Sequence, residues 1–197
     1  MKKFEETKFA IPTLVGISQK NIEEHLKLYA GYVKFSNHII EKITELAHDS
    51  EKNAYMIGEL QRRFGFEFDG MRNHEYYFKS LEGGAQALSK ESPLFKAIES
   101  EWGSFETWFA LFKTIALTRG PGWAMLYFDK HTNRLVNTWV DEQHLGQLTG
   151  LSPVLALDMW EHSFVFDYQP SGKKKYVEDF FANLNWSVIE KNYRDAQ

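Results

Sequence analysis

Cysteine is absent from the 197 residues. That excludes a disulfide scaffold, cysteine zinc sites, thiolate-held iron–sulfur clusters and a cysteine nucleophile. Any metal must therefore be held by His, Asp or Glu. Long apolar runs are missing too. The longest, such as Trp123–Phe128, fall far short of a bilayer span, so no membrane insertion is expected. Residues Met1 to Glu6 carry two lysines and then two glutamates, with no apolar stretch behind them. No secretory signal is read there, and a cytoplasmic protein is expected. An excess of positive charge is also lacking: 27 acidic and 23 basic side chains leave a formal charge of −4. This excludes the basic footprint of a nucleic-acid binder. Aromatic residues, in contrast, make up 16% of the chain. The length suits one generous domain or two small ones sharing a core.

The first half reads as helical. Ser18 is a helix N-cap, and Ile22, His25, Tyr29, Tyr32, Val33 and Ile40 then fall near one face at helical spacing, in a helix running toward Ala47. A second helix is expected over roughly Asn53–Phe64, and a third from near Met71 through His74, Tyr77, Phe78 and Leu81. Gly83-Gly84 is the clearest breaker, and the chain is divided close to it, into an N-terminal helical hairpin domain (1–88) and a C-terminal domain (89–197). Ser92-Pro93 opens a short helix, and Ser104 opens another to about Leu117. Trp123–Asp129 and Arg134–Asp141 are strand-like runs joined by a hairpin connection, and Val154–Met159 is a third strand. Helical stretches are expected from about Trp160, Tyr176 and Trp186. The fold class is α+β, with a three-stranded antiparallel sheet flanked by helices.

Seven histidines are present. His38, His48 and His131 lie beside charges, turns or exposed faces and receive no role. His25 and His74 each sit on the apolar face of an expected helix. The sharpest local pattern is Asp158-Met159-Trp160-Glu161-His162. Its Asp ends an apolar strand, and its His follows in the next turn. If the two converge, they suit Fe, Mn or Zn; the plainer alternative is an Asp capping a helix with a His nearby.

Asp158-Met159-Trp160-Glu161-His162 resembles the signature of iron/manganese superoxide dismutases. Arg72-Asn73-His74-Glu75-Tyr76-Tyr77-Phe78 resembles the segment that supplies that family's second histidine ligand. Ile22-Glu23-Glu24-His25 resembles the segment that supplies the first. Trp102-Gly103-Ser104-Phe105, Gly120-Pro121-Gly122-Trp123 and Phe180…Asn185-Trp186 match further landmarks in the same order, so that the resemblance spans roughly Phe9 to Tyr193. It implies one Mn or Fe ion per subunit held by His25, His74, Asp158 and His162, with a solvent molecule as fifth ligand. The implied reaction is disproportionation of superoxide to O2 and H2O2. Trp123, Trp160, Phe78 and Tyr77 would wall the site against water, or serve as ordinary core, or both. Glu161, which in the family reaches the partner subunit's last ligand histidine, implies a homodimer.

The chain also departs from the family's pattern. The histidine usual four residues after the first ligand is Tyr29, the gateway tyrosine usual eight after it is Val33, and the tyrosine usual three after the last ligand is Val165. Tyr32 stands one residue early for the gateway position. In this family a glutamine or histidine hydrogen-bonds the metal-bound solvent; iron-type members often supply it from four residues before the second ligand, which is here Gly70. The manganese-type route, from the loop after the second strand, is filled by Gln143-His144, which favours Mn over Fe. Gln143 is favoured to point inward, with His144 as the alternative. Because the protein is net negative, Arg72 is a candidate for steering an anionic substrate. Two further readings stand beside this one. A catalytically silent relative would lack ligands, and a 2-His-1-carboxylate oxygenase would not carry a third histidine.

Overall fold

The computed structural model describes residues 2–197. Helix α1 spans Gln19–Leu46, and the Ser18 side chain accepts from the Asn21 amide at its start. Its buried stripe, Ile22, His25, Tyr29, Val33, Ser36 and Ile39, repeats every three to four residues. After a short turn, helix α2 runs unbroken over Ala54–Lys79 and packs along α1. This joins what the sequence divides into two helices. Gly65 and Gly70 interrupt the pattern, and each costs about 1 kcal/mol of helix propensity. Burial of Met71, His74, Tyr77 and Phe78 in the same helix outweighs that cost.

Gly83 and Gly84 both adopt positive φ, turning the chain out of the hairpin where the sequence marks a breaker. Helices α3 (Pro93–Trp102) and α4 (Phe105–Ala116) follow, each opened by a capping serine. Strands β1 (Gly122–Asp129), β2 (Arg134–Asp141) and β3 (Ser152–Asp158) form an antiparallel sheet in the order β2-β1-β3. Central β1 is buried almost throughout, as its unbroken apolar run demands. Pro153 is tolerated because β3 is an edge strand, and a register shift lies opposite it at Tyr127. Helices α5 (Lys173–Ala182) and α6 (Trp186–Ala196) close the fold.

The helix expected from Trp160 is only a single 3-10 turn, Glu161–Ser163, and α5 begins at Lys173 rather than near Tyr176. This brevity matters for the site. Asp158 ends β3 paired with Trp123, and the tight turn brings His162 back over the same carboxylate.

Candidate metal centre

Four side chains from four segments of the fold converge. His25 comes from α1, His74 from α2, Asp158 from the end of β3 and His162 from the turn after it. One ligand atom from each lies within 4.8 Å of all the others. Asp158 Oδ2 is the hub, 3.1 Å from His25 Nε2, 3.1 Å from His162 Nε2 and 3.5 Å from His74 Nε2. His25, His74 and Asp158 are fully buried, whereas the His162 side chain keeps 21% of its surface. The site is therefore dry on three sides and opens at His162.

Tautomer and charge follow from the neighbours. His74 Nδ1 lies 2.5 Å from the Gly70 carbonyl, which can only accept, so Nδ1 carries the proton and the Nε2 lone pair faces the cluster. That Nε2 is buried and has no hydrogen-bond partner. Burial pushes the His74 pKa down to about 3, helped by His25 and opposed by the Asp158 charge. Burial lowers that of His25 as well. For Asp158, burial acts to raise the pKa, but His162 and His25 prevail and hold the carboxyl below its ordinary value. Two neutral buried imidazoles and an ionised carboxylate are the protonation states that metal ligation requires. An unsatisfied inward nitrogen is otherwise a cost. The 3.1–3.5 Å gaps between Asp158 Oδ2 and the three imidazole nitrogens also fit one ion, since metal–N and metal–O distances are about 2.0–2.2 Å. The residues fit a metal of imidazole and carboxylate preference.

Around this cluster lies a ring of aromatic groups. Trp123 meets His74 edge to face at 5.0 Å, Phe78 and Tyr77 lie 4.8 and 5.0 Å from His25, and Trp160 stacks on His162 at 5.7 Å. The expected wall is present. Tyr32 sits 5.0 Å from the His74 ring. Seven residues separate it from His25, and at about 100° each they fall only about 20° short of two full turns. A regular helix therefore brings both to one face. Gln143 is fully buried; its Nε2 donates to the Tyr32 hydroxyl at 2.9 Å, and its Oε1 accepts from Trp123 Nε1 at 2.9 Å. His144 turns instead toward Phe66, with ring centroids 5.7 Å apart.

A model for the iron/manganese superoxide dismutases, C-terminal domain, matches residues 90–192. The superoxide dismutase [Fe] of Cupriavidus metallidurans is 38% identical over 186 residues, covering 93% of this chain and 91% of the relative. The superoxide dismutase [Fe] of Tetrahymena pyriformis is 33% identical over 177 residues, covering 87% and 89%. The chain belongs to the iron/manganese superoxide dismutase family. Members carrying the other metal match as well. The superoxide dismutase [Mn] of Mycobacterium intracellulare is 33% identical over 181 residues, covering 90% of this chain and 84% of its own.

Within this family member the departures have physical counterparts. Tyr29 packs in the hairpin core, where its hydroxyl accepts from the Thr7 amide and donates to Glu75. Val165 is exposed, and so is Glu161. Arg72 is bound by Glu75 at 2.7 Å and lies over the rings of Phe4 and Phe68, so its charge is already countered. Sequence reasoning missed Tyr176, whose buried hydroxyl donates to the Asp158 carbonyl at 3.0 Å, and Ser163, which donates to the same atom. Nothing in their local sequence marks them. No described helix is long and apolar enough to cross a membrane.

The depressed histidines predict a pH dependence. Between about pH 3 and 6.5 the unfolded chain binds a proton at His74 that the folded, metal-free chain refuses. This contribution to stability is complete above pH 6.5 and is lost as pH falls. His25 acts with the same sign, and Asp158 adds to the loss below its ordinary range of about 3.8. Melting of the metal-free chain should therefore show stability falling from pH 7 to pH 4, by ~3 kcal/mol from His74 alone. A flat or rising melting temperature would contradict this protonation scheme.

Proposed function

We propose that this chain is a superoxide dismutase holding one manganese or iron ion per subunit on His25, His74, Asp158 and His162. One observation carries the reading: four ligand atoms lie within 4.8 Å of one another around a buried His74 Nε2 that has no protein partner. When bound, such an ion supplies one-electron chemistry, oxidising one superoxide to O2 and reducing the next, with two protons, to H2O2.

The chain's own residues do the rest. The aromatic ring excludes bulk water, which strengthens every charge interaction inside. Burial pushes the Tyr32 hydroxyl well above its ordinary pKa, and the Asp158 and Glu67 carboxylates push it further. Tyr32 thus keeps its proton at neutral pH. Its oxygen accepts from Gln143 Nε2, which leaves its own O–H free to donate into the site. Gln143, tied to Trp123, orients that hydroxyl. Glu161 is assigned to the partner subunit in a homodimer, and its exposure fits that role. On this reading the metal centre lies between the 1–88 and 89–197 domains, and the protein works in the cytoplasm. Manganese is preferred over iron, because the amide that bonds the Tyr32 hydroxyl comes from the loop after β2 while position 70 is glycine.

The test is to load the metal-free chain with Mn or with Fe and measure superoxide removal. Activity is expected with at least one; activity with neither overturns the proposal. In the same assay Gln143→Ala should lower activity by about 10–100-fold, the usual cost of losing an outer-shell partner. His144→Ala should leave most of it. The reverse pattern would move the role by one residue.

A further inference from the structure

Gln143 lies on no helix or strand, yet its amide is aimed between Trp123 and Tyr32. The loop that carries it is pinched at its base, where Asp141 and Leu145 exchange two backbone hydrogen bonds of 2.8 and 3.1 Å. Glu142 takes positive φ at its entry and Gly146 at its exit. A glutamine has three free side-chain torsions, whose ordering costs about 1.5–2 kcal/mol. Bonds at its far end fix the amide only if the backbone beneath is fixed as well.

That fixed point is the Gln143 carbonyl. It accepts from Asn73 Nδ2 at 3.0 Å and from Gln147 Nε2 at 3.3 Å. Gln147 Nε2 also donates to Asn73 Oδ1 at 3.1 Å, closing a ring of carboxamides. The Tyr127 hydroxyl from β1 donates to Gln147 Oε1 and thereby orients the whole group. Asn73 immediately precedes His74 on α2. The ring thus ties the loop to the helix that carries a metal-facing histidine.

We infer that Gln147, oriented by Tyr127 and joined to Asn73, is a positioning residue that clamps the Gln143 carbonyl and so sets the Gln143 amide against Tyr32. The inference rests on the reading of Gln143 and Tyr32 as parts of the superoxide site. Displacements of about 1 Å in such groups can cost on the order of a hundredfold in rate.

The test uses hydrogen exchange of tryptophan indoles in the full chain, purified metal-free. Trp123 Nε1 is bonded to Gln143, whereas Trp108 Nε1 is bonded to Asn137 and serves as an internal reference. In Gln147→Leu, which keeps the bulk and removes both donors, Trp123 exchange should rise about tenfold, equivalent to about 1.4 kcal/mol. Trp108 exchange should stay unchanged. Tyr127→Phe, the gentler variant, should give a smaller rise at Trp123 alone. Unchanged Trp123 exchange in both variants overturns the clamp. Equal acceleration at Trp123 and Trp108 also overturns it, because the effect is then general loosening. A parent chain without superoxide removal would overturn the functional reading instead, and the indole exchange reports the clamp independently of that.

Discussion

Replacing His162 with alanine should abolish both metal retention and superoxide removal while leaving a folded chain. His162 is the one ligand candidate with an exposed edge, so its loss opens no sealed core cavity. The electrostatic consequence is larger. Among the groups that hold the Asp158 carboxyl in its ionised form, His162 has the greatest effect, and His25 follows. Without it, burial acts on Asp158 with one fewer opposing partner, so the variant loses a candidate ligand nitrogen and weakens the carboxylate charge beside it at once. Losing an outer-shell partner typically costs 10–100-fold, and loss of a direct ligand should exceed that range. His131→Ala is the matched control. That residue is exposed in the hairpin turn between β1 and β2, and metal content and activity should both stay at the parent level. Metal analysis and activity, measured together, check the pair.

The second large effect is expected at Gly70. A Cβ built there would lie 2.6, 2.7 and 3.0 Å from three atoms of the Tyr32 ring. Helix propensity alone would make Gly70→Ala stabilising by about 1 kcal/mol. Overpacking at such distances costs about 1–3 kcal/mol. The clash should prevail, because Tyr32 is held on its far side by Gln143 and cannot swing away without breaking that bond. The expected result is a destabilised protein and an activity loss on the order of a hundredfold as Tyr32 is displaced. Gly58→Ala in the same helix meets nothing within 4 Å and should stabilise by about 0.5–1 kcal/mol. Opposite signs for two Gly→Ala changes in one helix are the signature sought by denaturant melts. If both variants stabilise, the Tyr32 packing is not as described.

These two sites also show what the chain discloses in one dimension. β1 and β2 are legible almost to the residue, because an apolar run, a polar turn and a second β-rich run leave few alternatives. Convergence of Asp158 and His162 is legible from their spacing, although the connecting turn is shorter than the helix expected there. Helix α2 is misjudged because glycine propensity is a local signal. The reason for Gly70 is a ring on another helix, 38 residues earlier in the sequence numbering of Tyr32 and Gly70. The sequence favours Gln143 over His144, but no local pattern decides between them. Loops have no period, and this one is oriented by Asn73, Gln147 and the Asp141–Leu145 bridge, contacts that no local pattern encodes. The Tyr32 question resolves only through helix geometry, since seven residues in a regular helix restore nearly the starting direction.

The most direct measurement is anomalous X-ray scattering from crystals of the chain loaded with manganese, recorded on both sides of the manganese edge. One peak per chain is expected, bonded by Nε2 of His25, His74 and His162 and by Asp158 Oδ2. A stoichiometric ion bound elsewhere, or no peak among these four residues in a chain that removes superoxide, would contradict this reading.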